Sequence, residues 1–349
     1  MPIATSPSEI NAFRRCKRQY YYKSVEKIEP RLPAPRLKFG SWGHSLLQAH
    51  YSGGDWKKEH ARQLRKFNNL FLEEREFYGD LPAQVERAME SYLFHWRREE
   101  QDWEILHVEQ VFDYKTKGGD VLNFKPDLIV KVLSKKRIIV VDHKWVTSLP
   151  DAEWRMVDLQ STTYVDGVKK ATGLDIWGFE WNYIRQKAPT IPSINQNGAI
   201  SKRKIDTDFY TLSKFLKEYY EVDKLNALPK NWKVELQKVK DFNSFFKRSL
   251  LVKPGKLIQR QLYELELTMG EMDEFLRIAS VAQTKGNQDP WVRTITKSCD
   301  WDCDFYGICM AELMDQQVEF TRRTQYRPSE YQKGRRHGSI QIRSKTTKS

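Results

Sequence analysis

Cysteine is scarce in this chain, with four residues among 349, a density too low for a disulfide-stapled extracellular scaffold. Long apolar runs are missing as well. No segment approaches the roughly 20 consecutive apolar residues that span a bilayer. Glu9, Arg14 and Arg15 interrupt the N-terminal stretch where a secretion signal would need an apolar core. These absences predict a soluble, cytoplasmic protein with no membrane partner. There is no internal repeat, and nothing resembles a base-reading module, which argues against sequence-specific recognition of nucleic acid. Acid is almost absent from the C-terminus. Residues 322–349 hold nine Lys and Arg against the single acid Glu330, so this tail supplies +8 of the formal net charge of +13. Such a tail serves either a polyanionic partner, of which nucleic acid is the commonest, or solubility as a disordered segment.

What the chain does have is carboxylate at the ends of apolar runs. Val121-Leu122-Asn123-Phe124 leads to Pro126-Asp127, and Leu128-Ile129-Val130 follows. Fourteen residues separate Asp127 from Asp142-His143-Lys144, which ends the run Arg137-Ile138-Ile139-Val140-Val141. Val- and Ile-rich runs read as buried strands, and a carboxylate buried there is expensive unless a metal or cation compensates it.

The surrounding pattern predicts an α/β order of helix, three-strand meander, helix and strand, with a helical accessory region. Helices are expected over residues 6–24, 39–51, 57–78 and 82–101, with Pro30, Pro33 and Pro35 forcing a loop after the first. Strands are expected over 104–114, 121–132 and 137–144, turning at Gly118-Gly119 and Ser134-Lys135-Lys136. A helix from Pro150-Asp151 to about Ala171, capped by Gly173, precedes a strand over 175–183. The chain then divides into 1–185 (N-terminal helices and core), 186–290 (accessory helical insertion), 291–321 (cysteine segment closing on Cys16) and 322–349 (basic tail).

Two acids and a lysine at a sheet edge suit metal-dependent phosphodiester hydrolysis. Hard divalent ions held by carboxylates activate water and offset phosphate charge. Asp127 and Asp142 are the expected ligands, with the main-chain carbonyl of His143 as a third oxygen. Lys144, two residues beyond Asp142, lies on the same strand face. Its expected role is to activate the attacking water and stabilise the transition state. A surface salt bridge between Asp142 and Lys144 is the plain alternative. Glu109, inside the first predicted strand, faces either the same cleft or outward. Arg14, Arg15, Lys17 and Arg18 beside Tyr20-Tyr21-Tyr22 either grip phosphates and stack bases or form a helix with one solvated and one packed face. Ser201-Lys202-Arg203-Lys204 is a further candidate for phosphate contact.

Cys299, Cys303 and Cys309 fall within eleven residues, and Cys16 lies near the other end of the chain. Four thiolates so disposed can hold zinc or an iron–sulfur centre that staples the termini together.

From Ser6 to Ala311 the chain resembles the PD-(D/E)XK nuclease superfamily, in its RecB/AddB-like branch with a four-cysteine cluster. That branch includes CRISPR-associated and phage exonucleases. Phe39-Gly40-Ser41-Trp42-Gly43-His44 is similar to the branch's Gly-x-x-x-His helix, which implies that His44 is a metal ligand. Gln160-Ser161-Thr162-Thr163-Tyr164 matches its Gln-x-x-x-Tyr signature, implying that Gln160 and Tyr164 assist at the DNA or the carboxylates. Phe124-Lys125-Pro126-Asp127 replaces the usual Gly-x-x-Asp approach. Cys16-Lys17-Arg18 carries Lys17 where the family has proline. The resemblance implies a [4Fe–4S] cluster on Cys16, Cys299, Cys303 and Cys309, with zinc as the alternative. It further implies a Mg²⁺- or Mn²⁺-dependent DNA exonuclease of recombination or repair, with a recombination or helicase partner. Its competitors are a non-catalytic DNA-binding subunit and a CRISPR spacer-processing nuclease.

Overall fold

The computed structural model describes residues 4–116, 118–150, 154–201, 203, 205–284 and 289–329. Strand β1 (Ala4–Thr5) leads into α1 (Pro7–Arg15), α2 (Lys17–Tyr20), a π-helical turn and β2 (Ile28–Pro30). Four helices follow: α3 (Pro35–Tyr51), α4 (Trp56–Asn68), α5 (Leu72–Tyr78) and α6 (Leu81–Trp96). Next come β3 (Trp103–Val108), β4 (Phe112–Lys115), β5 (Val121–Phe124), β6 (Leu128–Val132), β7 (Arg137–Val146), α7 (Leu159–Thr172) and β8 (Ile176–Arg185). The remainder is α8 (Phe209–Tyr219), α9 (Lys230–Asp241), β9 (Phe246–Leu251), α10 (Gly255–Thr284), α11 (Cys299–Asp302), α12 (Tyr306–Leu313), α13 (Val318–Gln325) and β10 (Tyr326–Pro328).

The expected mixed α/β order is present, built on a five-stranded sheet ordered β3-β6-β7-β8-β9. Within this sheet only β7 and β8 run parallel, the crossover being α7. Alternation along the strands explains the unbroken apolar runs. Val130, Ile139 and Val141 face a core shared with Leu46 and Leu47 of α3 and Val85 and Met89 of α6. Ile129, Val140, Phe179 and Trp181 face Tyr164 and Val168 of α7. A strand buried on both faces needs apolar residues at every position. Continuing the alternation, Asp142 and Lys144 fall on the α7 face and His143 on the α3 face.

Two predicted strands are each broken in two. The stretch 104–114 divides at Glu109, whose φ of 49° lies in the left-handed region. The stretch 121–132 divides at Lys125-Pro126-Asp127, where proline has no N–H to continue a ladder. As a result β4 and β5 leave the main sheet and pair with β1 in a small second sheet. Other boundaries move too. Pro35 opens α3 at its first turn, where a missing N–H is harmless, and does not extend the loop. The helix expected over 57–78 is interrupted between Asn68 and Leu72. The helix expected from Pro150-Asp151 begins instead at Leu159, with Asp158 accepting the N–H groups of Gln160 and Ser161; Asp151 lies outside the described residues.

The stretch 186–290 is helical through α8 and α9, which share a core of Leu212, Leu216, Leu228 and Leu236. It also supplies β9 to the main sheet. From the same stretch, α10 packs Leu265, Met269, Met272 and Leu276 against Ile10 and Phe13 of α1. The first and last parts of the described chain meet directly: β10 pairs with β2, and Arg327 binds Glu29 at 3.0 Å. Residues 322–329, expected to belong to a disordered tail, therefore complete α13 and form β10, because their arginines find Glu26 and Glu29. The rest of that tail, and Lys202 and Lys204, lie outside the described residues.

Candidate metal centre and active site

The break at Glu109 is what brings the site together. Its backbone N–H donates to the Asp127 carbonyl at 2.9 Å, and its side chain, 10% exposed, pairs with Lys125. A left-handed backbone at a non-glycine residue costs about 1–3 kcal/mol and persists where the surroundings enforce it. Here it turns the Glu109 carboxylate inward beside Asp127. His44 comes from α3, with Nδ1 at 3.5 Å from Asp127 Oδ2. Ligand atoms of His44, Glu109 and Asp127 all lie within 4.8 Å of one another, and among the described residues no other group of this kind is found.

Gly43 explains how α3 approaches so closely. A Cβ added there would lie 2.2 Å from the Trp145 ring of β7. Without it the helix seats directly on the strand, and the next residue, His44, meets the end of the sheet. The Gly-x-x-x-His pattern thus contains a second glycine whose smallness is required, whereas at Gly40 the nearest contacts would be ordinary ones of 3.6–3.7 Å.

Asp142 stands beside the trio, in a ring of contacts of its own. Lys144 Nζ lies 2.7 Å from Asp142 Oδ2 and donates to Gln160 Oε1 at 3.1 Å. Gln160 Nε2 donates to Asp142 Oδ1 at 2.8 Å. Asp142 is buried and Lys144 part-buried on the α7 face, so the pair is not a fully exposed surface salt bridge. Tyr164 is also buried, and its hydroxyl donates to the Lys125 carbonyl at 3.3 Å, which braces the segment leading to Asp127. His143 contributes its backbone N–H, which donates to Asp127 Oδ2 at 2.6 Å.

Electrostatically the site is short of positive charge. Burial, reinforced by Asp142 and Glu109, pushes the Asp127 carboxyl well above its ordinary range. Burial lowers the His44 imidazole, with Lys144 adding to the effect against Asp142, which favours the neutral form that can ligate. Two carboxylates and an imidazole within 4.8 Å form a hard, oxygen-rich donor set that fits Mg²⁺ or Mn²⁺. A divalent cation would reverse the shift of Asp127.

Sequence reasoning missed two features. Lys125 partners Glu109, and no periodicity could have paired them. Behind the sheet, the His143 imidazole stacks on Tyr51 (centroids 5.5 Å apart, planes at 10°) and contacts the Asn182 amide at 2.8 Å. Asn182 donates to Tyr92 at 2.6 Å. Tyr51 donates to Glu100 at 2.6 Å, and Arg248 donates to the same carboxylate. The Arg248 guanidinium lies between Trp96 and Trp103, 4.0 and 4.2 Å from their centroids.

The N-terminal basic and aromatic cluster has one packed face, while Arg14 and Arg15 are exposed. Tyr20 and Tyr22 are buried, Arg18 pairs with Asp289 and Glu312, Arg15 pairs with Asp302 at 3.0 Å, and Lys17 covers Phe13 and Phe275. All four cysteines line one cavity of about 50 Å³. Three of their sulfurs receive N–H donors: Thr294 to Cys16 at 3.4 Å, Thr296 to Cys299 at 3.3 Å and Arg293 to Cys309 at 3.3 Å. The Thr296 contacts pull the Cys299 thiol below its ordinary value, while burial raises that of Cys303. No helix among the described residues is long and apolar enough to cross a membrane.

A family model described as the PD-(D/E)XK nuclease superfamily matches residues 4–309. Among solved structures, the chain is similar to one titled "Crystal structure of SSO0001", at 13% identity and a TM-score of 0.25, over 67% of this chain and 83% of that one. No match was found among curated proteins.

Proposed function

Since the chain belongs to the PD-(D/E)XK nuclease superfamily, we propose that it is a divalent-metal-dependent DNA nuclease, an exonuclease acting on ends or single strands in recombination or repair. The observation that carries this reading is the meeting of His44, Glu109 and Asp127 within 4.8 Å, next to the Asp142–Lys144–Gln160 ring. His44, Glu109, Asp127 and Asp142 hold the ion. The His143 carbonyl completes the set, because in a strand a residue's C=O points to the same edge as its N–H, and that N–H meets Asp127. A bound Mg²⁺ or Mn²⁺ supplies Lewis acidity that lowers the pKa of water and offsets phosphate charge. Lys144 Nζ, aimed by Asp142 and Gln160, orients the attacking water and stabilises developing charge. Tyr164 keeps the 125–127 segment in place.

Cys16, Cys299, Cys303 and Cys309 hold a [4Fe–4S] cluster as a structural staple. Supporting this, the four line one cavity and three accept N–H donors, as sulfurs of such clusters do. Tetrahedral zinc with Zn–S of about 2.3 Å would place its sulfurs roughly 3.8 Å apart. Zinc on the same four thiolates is the alternative, and metal analysis of the purified protein separates the two. Partners in this reading are DNA and a recombination or helicase protein.

The test is digestion of end-labelled single-stranded and duplex DNA with Mg²⁺ or Mn²⁺, and with chelator as control. Metal-dependent release of nucleotides from ends supports an exonuclease. Binding without turnover in any metal would make the protein a non-catalytic DNA-binding subunit and end this reading.

A further inference from the structure

We propose that Lys253 and Gln261 are positioning residues for this site, clamping the first turn of α7 so that the Gln160 amide stays between Asp142 and Lys144. The inference rests on the nuclease reading given above, but its structural half can be tested without it.

Gln160 has a demanding task. One planar amide must donate to Asp142 at 2.8 Å and accept from Lys144 at 3.1 Å at the same time. A shift of the turn by about 1 Å would take both contacts out of hydrogen-bond range. Gln160 stands in the first turn of α7, where the backbone N–H groups have no partners within the helix and fraying begins. Asp158 answers part of this through its side chain, which accepts from Gln160 N at 2.8 Å and Ser161 N at 3.3 Å.

The rest comes from about a hundred residues downstream. Lys253, between β9 and α10, donates to the Asp158 carbonyl at 2.8 Å and to Thr162 Oγ1 at 2.7 Å. Gln261, buried on α10, donates through Nε2 to the Val157 carbonyl at 2.6 Å. Its Oε1 accepts from Thr162 and from Lys253. Every group so held, at Val157, Asp158 and Thr162, lies within three residues of Gln160. Helix α10 already has an apolar anchor in Leu265, Met269, Met272 and Leu276, so the polar clamp is not needed to dock it. A hydrogen-bonded, part-buried polar network contributes unique geometry more than net stability. Its placement at the turn that carries Gln160 gives β9 and α10 a role in the chemistry.

The test uses Lys253→Met and Gln261→Leu in the full chain, with two readouts. The first is hydrogen exchange. Amides of the first turn of α7 should exchange at least about tenfold faster in either variant, while the later turns of α10 are unchanged; equal exchange in the first turn overturns the clamp. This holds even if the wild-type protein cleaves nothing, an outcome that defeats only the nuclease reading. Should Lys253→Met not fold, Gln261→Leu carries the test. The second readout is a double-mutant cycle. Each variant should lower kcat by about 10- to 100-fold, with KM and Mn²⁺ affinity within about twofold of wild type. In a Gln160→Ala background, neither should have any further effect. Additive losses in that background, or an unchanged kcat, would show that the clamp does not act through Gln160.

Discussion

The backbone N–H of His143 donates to the Asp127 carboxylate at 2.6 Å, so β7, the strand bearing Asp142 and Lys144, also holds the neighbouring acid. The site is thus a property of one strand and what that strand can reach. Substitutions that leave β7 in place should disturb the chemistry without disturbing the fold.

Lys144→Ala should therefore lower kcat by roughly 10²–10³ with little change in DNA affinity or in circular dichroism. Single-turnover cleavage of end-labelled DNA measures this. Full activity in the purified variant would remove Lys144 from the mechanism.

Gly43→Ala should destabilise the protein by about 1–3 kcal/mol, because the added methyl meets the Trp145 ring at 2.2 Å and overpacking carries that cost. It should also weaken Mn²⁺ binding, since His44 moves with the helix. In a Trp145→Ala background the glycine substitution should cost much less of either. Urea titration and calorimetry report the two effects separately.

Metal affinity should rise with pH. Asp127, with its carboxyl raised by burial and then by Asp142 and Glu109, must lose its proton to bind a cation. His44, lowered by burial, is biased toward its neutral form and adds less to this dependence. The sign for the metal-free fold is the opposite. A carboxyl raised above its ordinary 3.8 binds its proton more tightly folded than unfolded, so its contribution to stability falls as pH climbs from that value through the raised one. Mn²⁺ should accordingly raise Tm more at pH 7 than at pH 5. Calorimetry in buffers of different ionisation enthalpy should detect a proton released on binding.

Arg248→Met should cost about 3–5 kcal/mol, the penalty of leaving a buried charge uncompensated, since Glu100 would lose the guanidinium that lies against it. The loss should appear in urea unfolding, and no exposed salt bridge of the molecule should match it.

Anaerobically purified protein should be brown, with about four irons per chain, and Cys303→Ser should lose the colour. The termini should nonetheless stay associated, because the β2–β10 pairing and the Arg327–Glu29 contact do not involve the thiols. A colourless preparation holding one zinc would reject the cluster.

The parts of this architecture legible in the sequence are those set by local period and chemistry. The run 137–141 announced a strand buried on both faces, and Asp142 and Lys144, two residues apart, had to share a side. Gly173 marked the end of α7 because a left-handed cap suits glycine, and its φ is 74°. The partnerships formed at long range were hidden. Nothing in the pattern of 104–114 signals that Glu109 adopts a left-handed backbone, which accompanies a long-range bond from its N–H to the Asp127 carbonyl. Nothing local pairs β9 with β8 or α10 with α1, because an amphipathic stripe specifies that it will be covered but not by what. The cluster at Tyr20-Tyr21-Tyr22 was ambiguous for the same reason, and its packed outcome depends on Trp291 and Glu312 nearly three hundred residues away.

The left-handed backbone at Glu109 sets durability against catalysis at a single position. Glycine there would relax the chain by about 1 kcal/mol or more and would forfeit only an ion pair whose lysine is 38% exposed. A selection for thermal robustness alone should therefore favour Glu109→Gly and yield a sturdier, inert protein. Retention of glutamate in active variants would mean that turnover, not folding, is what keeps it.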